Sequence, residues 1–383
     1  MTNRSPSFLV ATLPLAISVV ACTVSPSADK VGTSQEAENG CLSSPSCPLF
    51  TETLCRGVGP TGCPIDCSCA EVGTTLASGL PADPFPIVVD GSNVYWGDES
   101  GNVMSVPVGG GTPATLISGQ GFVLSIAPYY GPRKARFTST SLLFWSASTT
   151  IGGVEVAPRT GTPFTVATDN NDLIEIALDS QNVYWTDYDY GNGDGAVMRA
   201  PVGGGPAAML ATGGSPFSLA IDGTNVYWAD GNGYLWKMPK TGGPRTALAS
   251  ALAVDAYVPY IALDSDPTVG STATNVYWSQ PGSGVLEDGA VMSVPVMGGT
   301  PTTVASGTSP GTIYADSAGV YWSDGLLGTI NVVRLPLGTG GPAVLAANQG
   351  WVMAIAVDST SVYWTTKGLG PGTGTGCVRK TGK

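Results

Sequence analysis

The chain contains no histidine in 383 residues. That absence removes Ser-His-Asp triads, Cys-His dyads, imidazole general bases and His-ligated zinc together. Any enzyme built from this sequence would have to work with carboxylates, tyrosine, lysine or a bound ion. Cations are scarce as well: 16 Lys and Arg face 28 Asp and Glu, for a formal net charge of −12. A phosphate-binding surface needs clustered cations, so no nucleic acid partner is expected. No long stretch shows a 3.6-residue apolar period, which argues against a helical fold. What is plentiful is glycine (53) and proline (30), the composition of many short strands joined by tight turns.

One aromatic motif recurs seven times: Val94-Tyr95-Trp96, Phe144-Trp145, Val183-Tyr184-Trp185, Val226-Tyr227-Trp228, Val276-Tyr277-Trp278, Val320-Tyr321-Trp322 and Val362-Tyr363-Trp364. A period of ~40–50 residues is that of a propeller or solenoid of four-stranded units. Residues 87–118 serve as a template. Ile87–Val89 reads as an innermost strand and Asp90-Gly91-Ser92 as a turn, where Asp caps amides and Gly accepts positive φ. Asn93–Trp96 is the second strand, Gly101–Val106 the third, and Pro113–Ile117 the outer fourth. The second strand is apolar on both parities, as a sheet covered on both faces requires. Its aromatics are therefore expected to pack between blades. The outer strand opens with proline in six copies (Pro113, Pro163, Pro206, Pro244, Pro301, Pro342), as befits an edge. The expected fold is all-β: a seven-bladed β-propeller over residues 73–383. The last repeat lacks an outer strand, and Thr74-Thr75-Leu76-Ala77-Ser78 matches Thr302-Thr303-Val304-Ala305-Ser306 closely enough to supply it. That N-terminal strand is expected to close the ring.

Residues 1–21 read as an export signal, with Arg4 ahead of an apolar stretch from Phe8 to Ala21 that is too short to span a bilayer comfortably. The stretch ends Val19-Val20-Ala21-Cys22, which resembles the bacterial lipoprotein lipobox. That resemblance implies a diacylated Cys22, and acyl chains anchor at ~0.8 kcal/mol per buried CH₂. Cleavage near Ala21 by an ordinary secretory route is the alternative. Residues 22–40 are polar and read as a flexible tether. Thr23 after the lipid cysteine, in place of an inner-membrane-retaining Asp, favours the outer membrane in a Gram-negative cell.

Six cysteines (Cys41, Cys47, Cys55, Cys63, Cys67, Cys69) crowd into residues 41–72, where Pro, Gly and Ser leave little apolar mass for a core. In an exported segment disulfides are the expected staples, in any of fifteen connectivities; a zinc site is the rival reading. Cys377 stands alone near the C-terminus. Closure by the N-terminal strand would bring it near Cys67 or Cys69, and a disulfide there would lock the ring. A buried free thiol is the alternative.

The stretch Ile176-Ala177-Leu178-Asp179-Ser180-Gln181-Asn182-Val183-Tyr184-Trp185-Thr186-Asp187 resembles the YWTD repeat of low-density-lipoprotein-receptor-type propellers. Four copies keep the trailing acid (Asp98, Asp187, Asp230, Asp324), while Ala147, Gln280 and Thr366 replace it elsewhere. The resemblance covers residues 74–383 and departs in number, since that family has six blades. It implies a structural role for the trailing Asp, linking neighbouring repeats. Glycine-rich propellers behind a lipobox also resemble bacterial envelope lipoproteins.

Propeller ligands commonly sit at the axial channel mouth. The inner strands place one column there: Pro86, Ser125, Glu175, Ser218, Tyr260, Thr312 and Ala354. This column is expected to form a small polar ring, with Glu175 its single charge and an ion ligand or acid–base group if desolvated. A hydrated channel wall is the bland counterpart. Loops after the second strands add Asp98, Glu99, Asp187, Asp189, Asp194, Asp230, Glu287, Asp288 and Asp324. Asp187, Asp189 and Asp194 have oxygen-ligand spacing suited to Ca²⁺ without matching an EF-hand. No cofactor is required. On the opposite face Tyr129-Tyr130-Gly131-Pro132-Arg133-Lys134-Ala135-Arg136 joins three cations to two aromatics, a set suited to protein contact. The expected function is a lipid-anchored envelope protein whose propeller is a non-enzymatic protein- or glycan-binding module. The alternative is a propeller enzyme with an axial-channel site, similar to virginiamycin B lyase or a metal-dependent lactonase.

Overall fold

A computed structural model describes residues 73–129, 142–148, 152–158, 163–169, 172–188, 195–250, 252, 259–265, 271–280, 282, 288–325, 330–367 and 376–383. The expected export signal, tether and cysteine-rich segment, residues 1–72, lie outside these residues. The strands, numbered β1–β28 in chain order, form seven four-stranded antiparallel sheets. Blade one is β2 (Pro84–Val89), β3 (Asn93–Asp98), β4 (Val103–Pro107) and β5 (Ala114–Ile117). The inner strands of blades two to seven are β6 (Phe122–Tyr129), β10 (Asp172–Leu178), β14 (Pro216–Ile221), β18 (Ile261–Leu263), β22 (Pro310–Asp316) and β26 (Trp351–Val357). The all-β seven-bladed expectation therefore holds.

Closure also follows the sequence. Blade seven has the order β1-β28-β27-β26, with β1 (Thr74–Leu80) added outside β28 (Gly376–Gly382) and β27 (Ser361–Lys367). The register sets Thr74 opposite Lys380 and Ala77 opposite Val378. The first and last blades are then tied by Lys367, whose Nζ lies 3.0 Å from Glu99 Oε1 and 3.6 Å from Asp83 Oδ2. Cys377 is wholly buried on β28 and is disulfide-bonded. Its partner cysteine lies outside the described residues.

Adjacent residues in a strand face opposite sides of the sheet, so each Tyr-Trp pair works as a two-sided wedge. Seven apolar clusters fill the seven interfaces between blades. In each, the Tyr of one blade meets the Trp of the next: Tyr184 with Trp228, Tyr227 with Trp278, Tyr277 with Trp322, Tyr321 with Trp364, and Tyr363 with Trp96 across the closure. Tyr95 meets Trp145, and Phe144 replaces the tyrosine facing Trp185. Six of the seven tryptophans are 0–1% exposed, so these rings are the core rather than a surface. Truncating one to alanine typically costs about 3–5 kcal/mol.

The tyrosine hydroxyl needs an acceptor at this depth, and the turn supplies it. Asp222 ends the inner strand of blade four; its Oδ1 accepts from the Thr224 and Asn225 amides at 2.7 Å, and Oδ2 accepts from the Tyr227 hydroxyl at 2.9 Å. Asp90–Tyr95 (3.0 Å), Asp179–Tyr184 (3.2 Å) and Asp358–Tyr363 (2.8 Å) repeat the arrangement. Lys240 reaches back from blade four to Asp179 (2.9 Å), and Lys383 from blade seven to Asp316 (2.6 Å). Burial raises the Asp179 and Asp222 pKa values, but these hydrogen bonds outweigh it and hold both below the usual range. Several of the few cations thus stitch blades together: Arg199 Nη1 donates to Lys240 O (2.6 Å) and Lys237 Nζ to Val296 O (2.8 Å).

Candidate functional site

The polar column of the inner strands is where sequence and structure part. Its members do not simply line a channel; several bridge neighbouring inner strands. Ser125 Oγ on β6 accepts from the Ile176 amide on β10 (3.2 Å). Glu175 Oε2 on β10 accepts from the Leu219 amide on β14 (2.7 Å), and Ser218 Oγ on β14 accepts from the Ile261 amide on β18 (3.0 Å). Inner strands of different blades do not form a ladder with one another, so side-chain oxygens satisfy amides that would otherwise be orphaned. Tyr260 and Thr312 sit half-buried at the matching places of blades five and six, while Pro86 is buried and Ala354 half-buried.

A second set completes the seam. The residue after each tryptophan is a buried hydroxyl in five blades. Thr186 Oγ1 donates to Phe217 O (2.9 Å), Thr365 Oγ1 to Phe85 O (3.0 Å) and Ser146 Oγ to Ile174 O (3.5 Å). Thr186 Oγ1 also accepts from the Glu175 amide (3.1 Å), and Ser279 Oγ from the Tyr260 amide (3.2 Å). In blade one the position is Gly97, where a Cβ would lie 2.4 Å from Val123 Cγ1. There the neighbouring blade packs too closely for a side chain.

Glu175 nonetheless keeps its individuality. Burial raises its pKa to about 7, against hydrogen bonds from the Leu219 amide and the Ser218 side chain that lower it. The carboxyl in turn adds to the burial that lifts the Tyr260 phenol to about 12, which places the two groups in one electrostatic neighbourhood. Around them stand aromatics that motif reading passed over. Tyr188, at the end of the second strand of blade three, meets Phe217 edge-on (6.2 Å, 84°). Phe217 meets Tyr260 edge-on in turn (5.9 Å, 70°). Blades one and two contribute Phe85 and Phe122, 5.8 Å apart. Trp351, 46% exposed, opens β26 as Phe122 opens β6. The available signal was position for four of them: Phe122 and Trp351 open an inner strand, and Phe85 and Phe217 directly precede the polar column, whereas Tyr188 closes a second strand and carried no such signal.

The acidic loops prove mostly structural. Asp98 is 2% exposed and accepts from the Ser100 and Asn102 amides and from Asn102 Nδ2. Asp230, equally buried, accepts from the Asn232 and Tyr234 amides and from Trp236 Nε1 (2.7 Å). Asp324 accepts from the Ser309 amide, ahead of its own inner strand (2.8 Å). In these three blades the hydrogen bonds described for the trailing acid, expected to link repeats, fix hairpins and entry turns of its own blade. Of the Ca²⁺ candidates, Asp187 is 6% exposed at the end of its strand, whereas Asp189 and Asp194 lie outside the described residues, as does Glu287. Among the described residues no cluster of three acidic or cysteine side chains forms a metal site. Residues 130–136 are likewise outside them. Tyr129 is not a contact aromatic: it is 1% exposed and its hydroxyl donates to Ser180 O (3.1 Å).

No protein-family model matches the chain, and no curated protein does. Solved structures are similar in fold. The WD40 β-propeller domain of Doa1 superposes with a TM-score of 0.57 at 13% identity, over 81% of this chain and 96% of that one. The computationally designed Ika8 protein gives 0.51 at 14% identity, over 80% and 99%. The β-propeller domain of the Trilobed protease from Pyrococcus furiosus, which has an open velcro topology, gives 0.51 at 9% identity, over 74% and 91%. At such identities the likeness is one of fold alone.

Proposed function

We propose that the chain is a lipid-anchored envelope protein whose propeller is a non-enzymatic binding module, taking a protein or glycan ligand at the axial mouth. The observation that carries this reading is the division of labour just described. Ser125, Ser218 and one oxygen of Glu175 hold neighbouring strands together, while Phe85, Phe122, Tyr188, Phe217, Tyr260 and Trp351 stay partly open to solvent at the strand entries. Ligand sites are commonly apolar and aromatic with a few placed polar groups. Export and anchoring rest on Cys22 and residues 1–21, and an outer-membrane location on Thr23. The disulfide of Cys377 is assigned to Cys67 or Cys69, joining the cysteine-rich segment to the closing blade. Ca²⁺ at Asp187, Asp189 and Asp194 is a further element of this proposal, and metal analysis of the purified chain tests it.

One observation favours a second reading, an enzyme such as a lyase or metal-dependent lactonase. A carboxyl with a pKa of about 7 is suited to general acid–base work. In-cell crosslinking and pull-down of the tagged protein from native envelopes, with Glu175→Gln alongside, separates the two. A stoichiometric protein or glycan partner supports the module. Lactone or lyase turnover abolished in Glu175→Gln supports the enzyme.

A further inference from the structure

The inner strands β2, β6, β10, β14, β18, β22 and β26 contain no Lys or Arg, and Glu175 is the acid within their span whose side chain is described at the mouth. Its Oε2 accepts from the Leu219 amide (2.7 Å), two residues along β14 from Phe217, and the rings of Tyr188, Phe217 and Tyr260 stand successively edge-on, at 84° and 70°. Perpendicular rings with centroids about 6 Å apart form corners, and a corner offers ring faces to a compact cation rather than one flat platform. A carboxylate in the neighbourhood of such a corner adds a charge partner. A backbone ligand finds less here. The Ile176, Leu219 and Ile261 amides are bonded to side chains of the preceding blade, and the Phe85, Ile174 and Phe217 carbonyls accept from hydroxyls. These strands therefore offer little for a peptide to pair with as an added strand. Recognition falls to side chains: aromatic faces and one carboxyl. Across the mouth, Phe85, Phe122 and Trp351 provide apolar surface for the C–H faces of sugar rings.

We propose that the mouth between blades three and five is a subsite for an organic ammonium group, borne by a non-acetylated amino-sugar residue of a glycan. Glu175 and Tyr260 contact the ammonium, with Phe217 and Tyr188 walling it. The proposal rests on the binding-module reading and narrows its ligand.

The test is calorimetric titration of the full chain at pH 8, where the carboxyl is ionised, with a glucosamine tetramer, its N-acetylated counterpart and a tetralysine peptide. Glu175→Gln retains an oxygen for the Leu219 amide, and thermal melting establishes that it is folded. Tyr260→Leu provides a second, uncharged perturbation. The expected result is a preference for the free amino sugar over its acetylated form of about tenfold, the size of one desolvated cation–π and ion-pair contact. That preference is lost in Glu175→Gln and weakened about fivefold in Tyr260→Leu. Equal binding of both tetramers, a preference unaltered in the folded Glu175→Gln chain, or stronger binding of tetralysine overturns the proposal. Binding of the acetylated tetramer or of tetralysine would still leave a binding module standing. Turnover without retained ligand would remove both readings.

Discussion

Blade two differs from the other six at the corner where the inner strand turns outward. Six blades end that strand in Asp (Asp90, Asp179, Asp222, Asp264, Asp316, Asp358), and all six carry a Tyr before the Trp. In blade two both partners have changed: Tyr129 stands for the Asp and Phe144 for the Tyr. The ring of Tyr129 packs on Phe144 (6.0 Å, 56°), and its hydroxyl finds Ser180 O in blade three. The physical lesson concerns pairs. In blades one, three, four and seven a phenol at 0–2% exposure is tolerable because a carboxylate accepts its hydrogen bond, and in blade two, where that acceptor is replaced, the hydroxyl goes with it. Blade two keeps the shape of the wedge and exchanges the polar lock for an aromatic one.

The largest effect is expected from removing the lock where it is most buried. Asp222→Ala leaves the Tyr227 hydroxyl and the Thr224 and Asn225 amides without their acceptor. It should destabilise the chain by at least about 3 kcal/mol in chemical denaturation. An effect under 1 kcal/mol, by the same scale, would mean that the clamp is ornamental.

Next comes a contrast of sign between carboxyls. The Asp179, Asp222 and Asp358 pKa values are lowered: burial opposes this, but amides, Lys240 for Asp179, and the tyrosine hydroxyls for Asp222 and Asp358 prevail. Their stabilisation is present above the unfolded value and fades as pH falls through the folded one. Glu175 behaves oppositely. With its pKa raised to about 7, its favourable contribution is complete below the unfolded value near 4.5 and is lost as pH rises through 7. Glu175→Gln should therefore raise stability at pH 8 by about 2 kcal/mol and leave it unchanged at pH 4, read from paired thermal melts. An equal gain at both pH values would refute the assignment.

Blade two can be pushed toward its neighbours. Phe144→Tyr alone introduces a hydroxyl at a 0% exposed site that lacks an Asp, and should cost about 1–3 kcal/mol. Adding Tyr129→Asp should recover part of that loss by rebuilding the clamp, so the double variant should be more stable than Phe144→Tyr. The smallest effect is a coupling. In a Tyr227→Phe background, Asp222→Ala should cost less than in the parent by about 1 kcal/mol, and additivity would show that the two groups act separately.

How much of this was legible follows from what each signal encodes. The Tyr-Trp period, the edge prolines and the likeness of Thr74–Ser78 to Thr302–Ser306 all report on strands and their order, and β1 indeed closes blade seven. The polar column was also legible as a set of residues. Its direction was not, because the inner strands shift register near their entries. The pairing is interrupted between Leu173 and Ile176, between Val123 and Ser125, and between Pro216 and Ser218. An irregularity there re-aims the side chain that follows, so Ser125, Glu175 and Ser218 bridge to the next blade. Of the aromatic mouth, motif reading reached Tyr260 through the inner-strand column but not its neighbours Tyr188 and Phe217, because the three rings come from three different blades.

By itself the sequence determined the number of blades, the strand order within them and the strand that closes the ring. Those depend on local periodicity and turn chemistry, which each repeat carries within its own forty to fifty residues. Only the tertiary structure decided which oxygen serves which amide across a blade boundary and which rings meet at the axis. Those contacts join residues more than forty positions apart, and their geometry exists only once neighbouring blades are packed together.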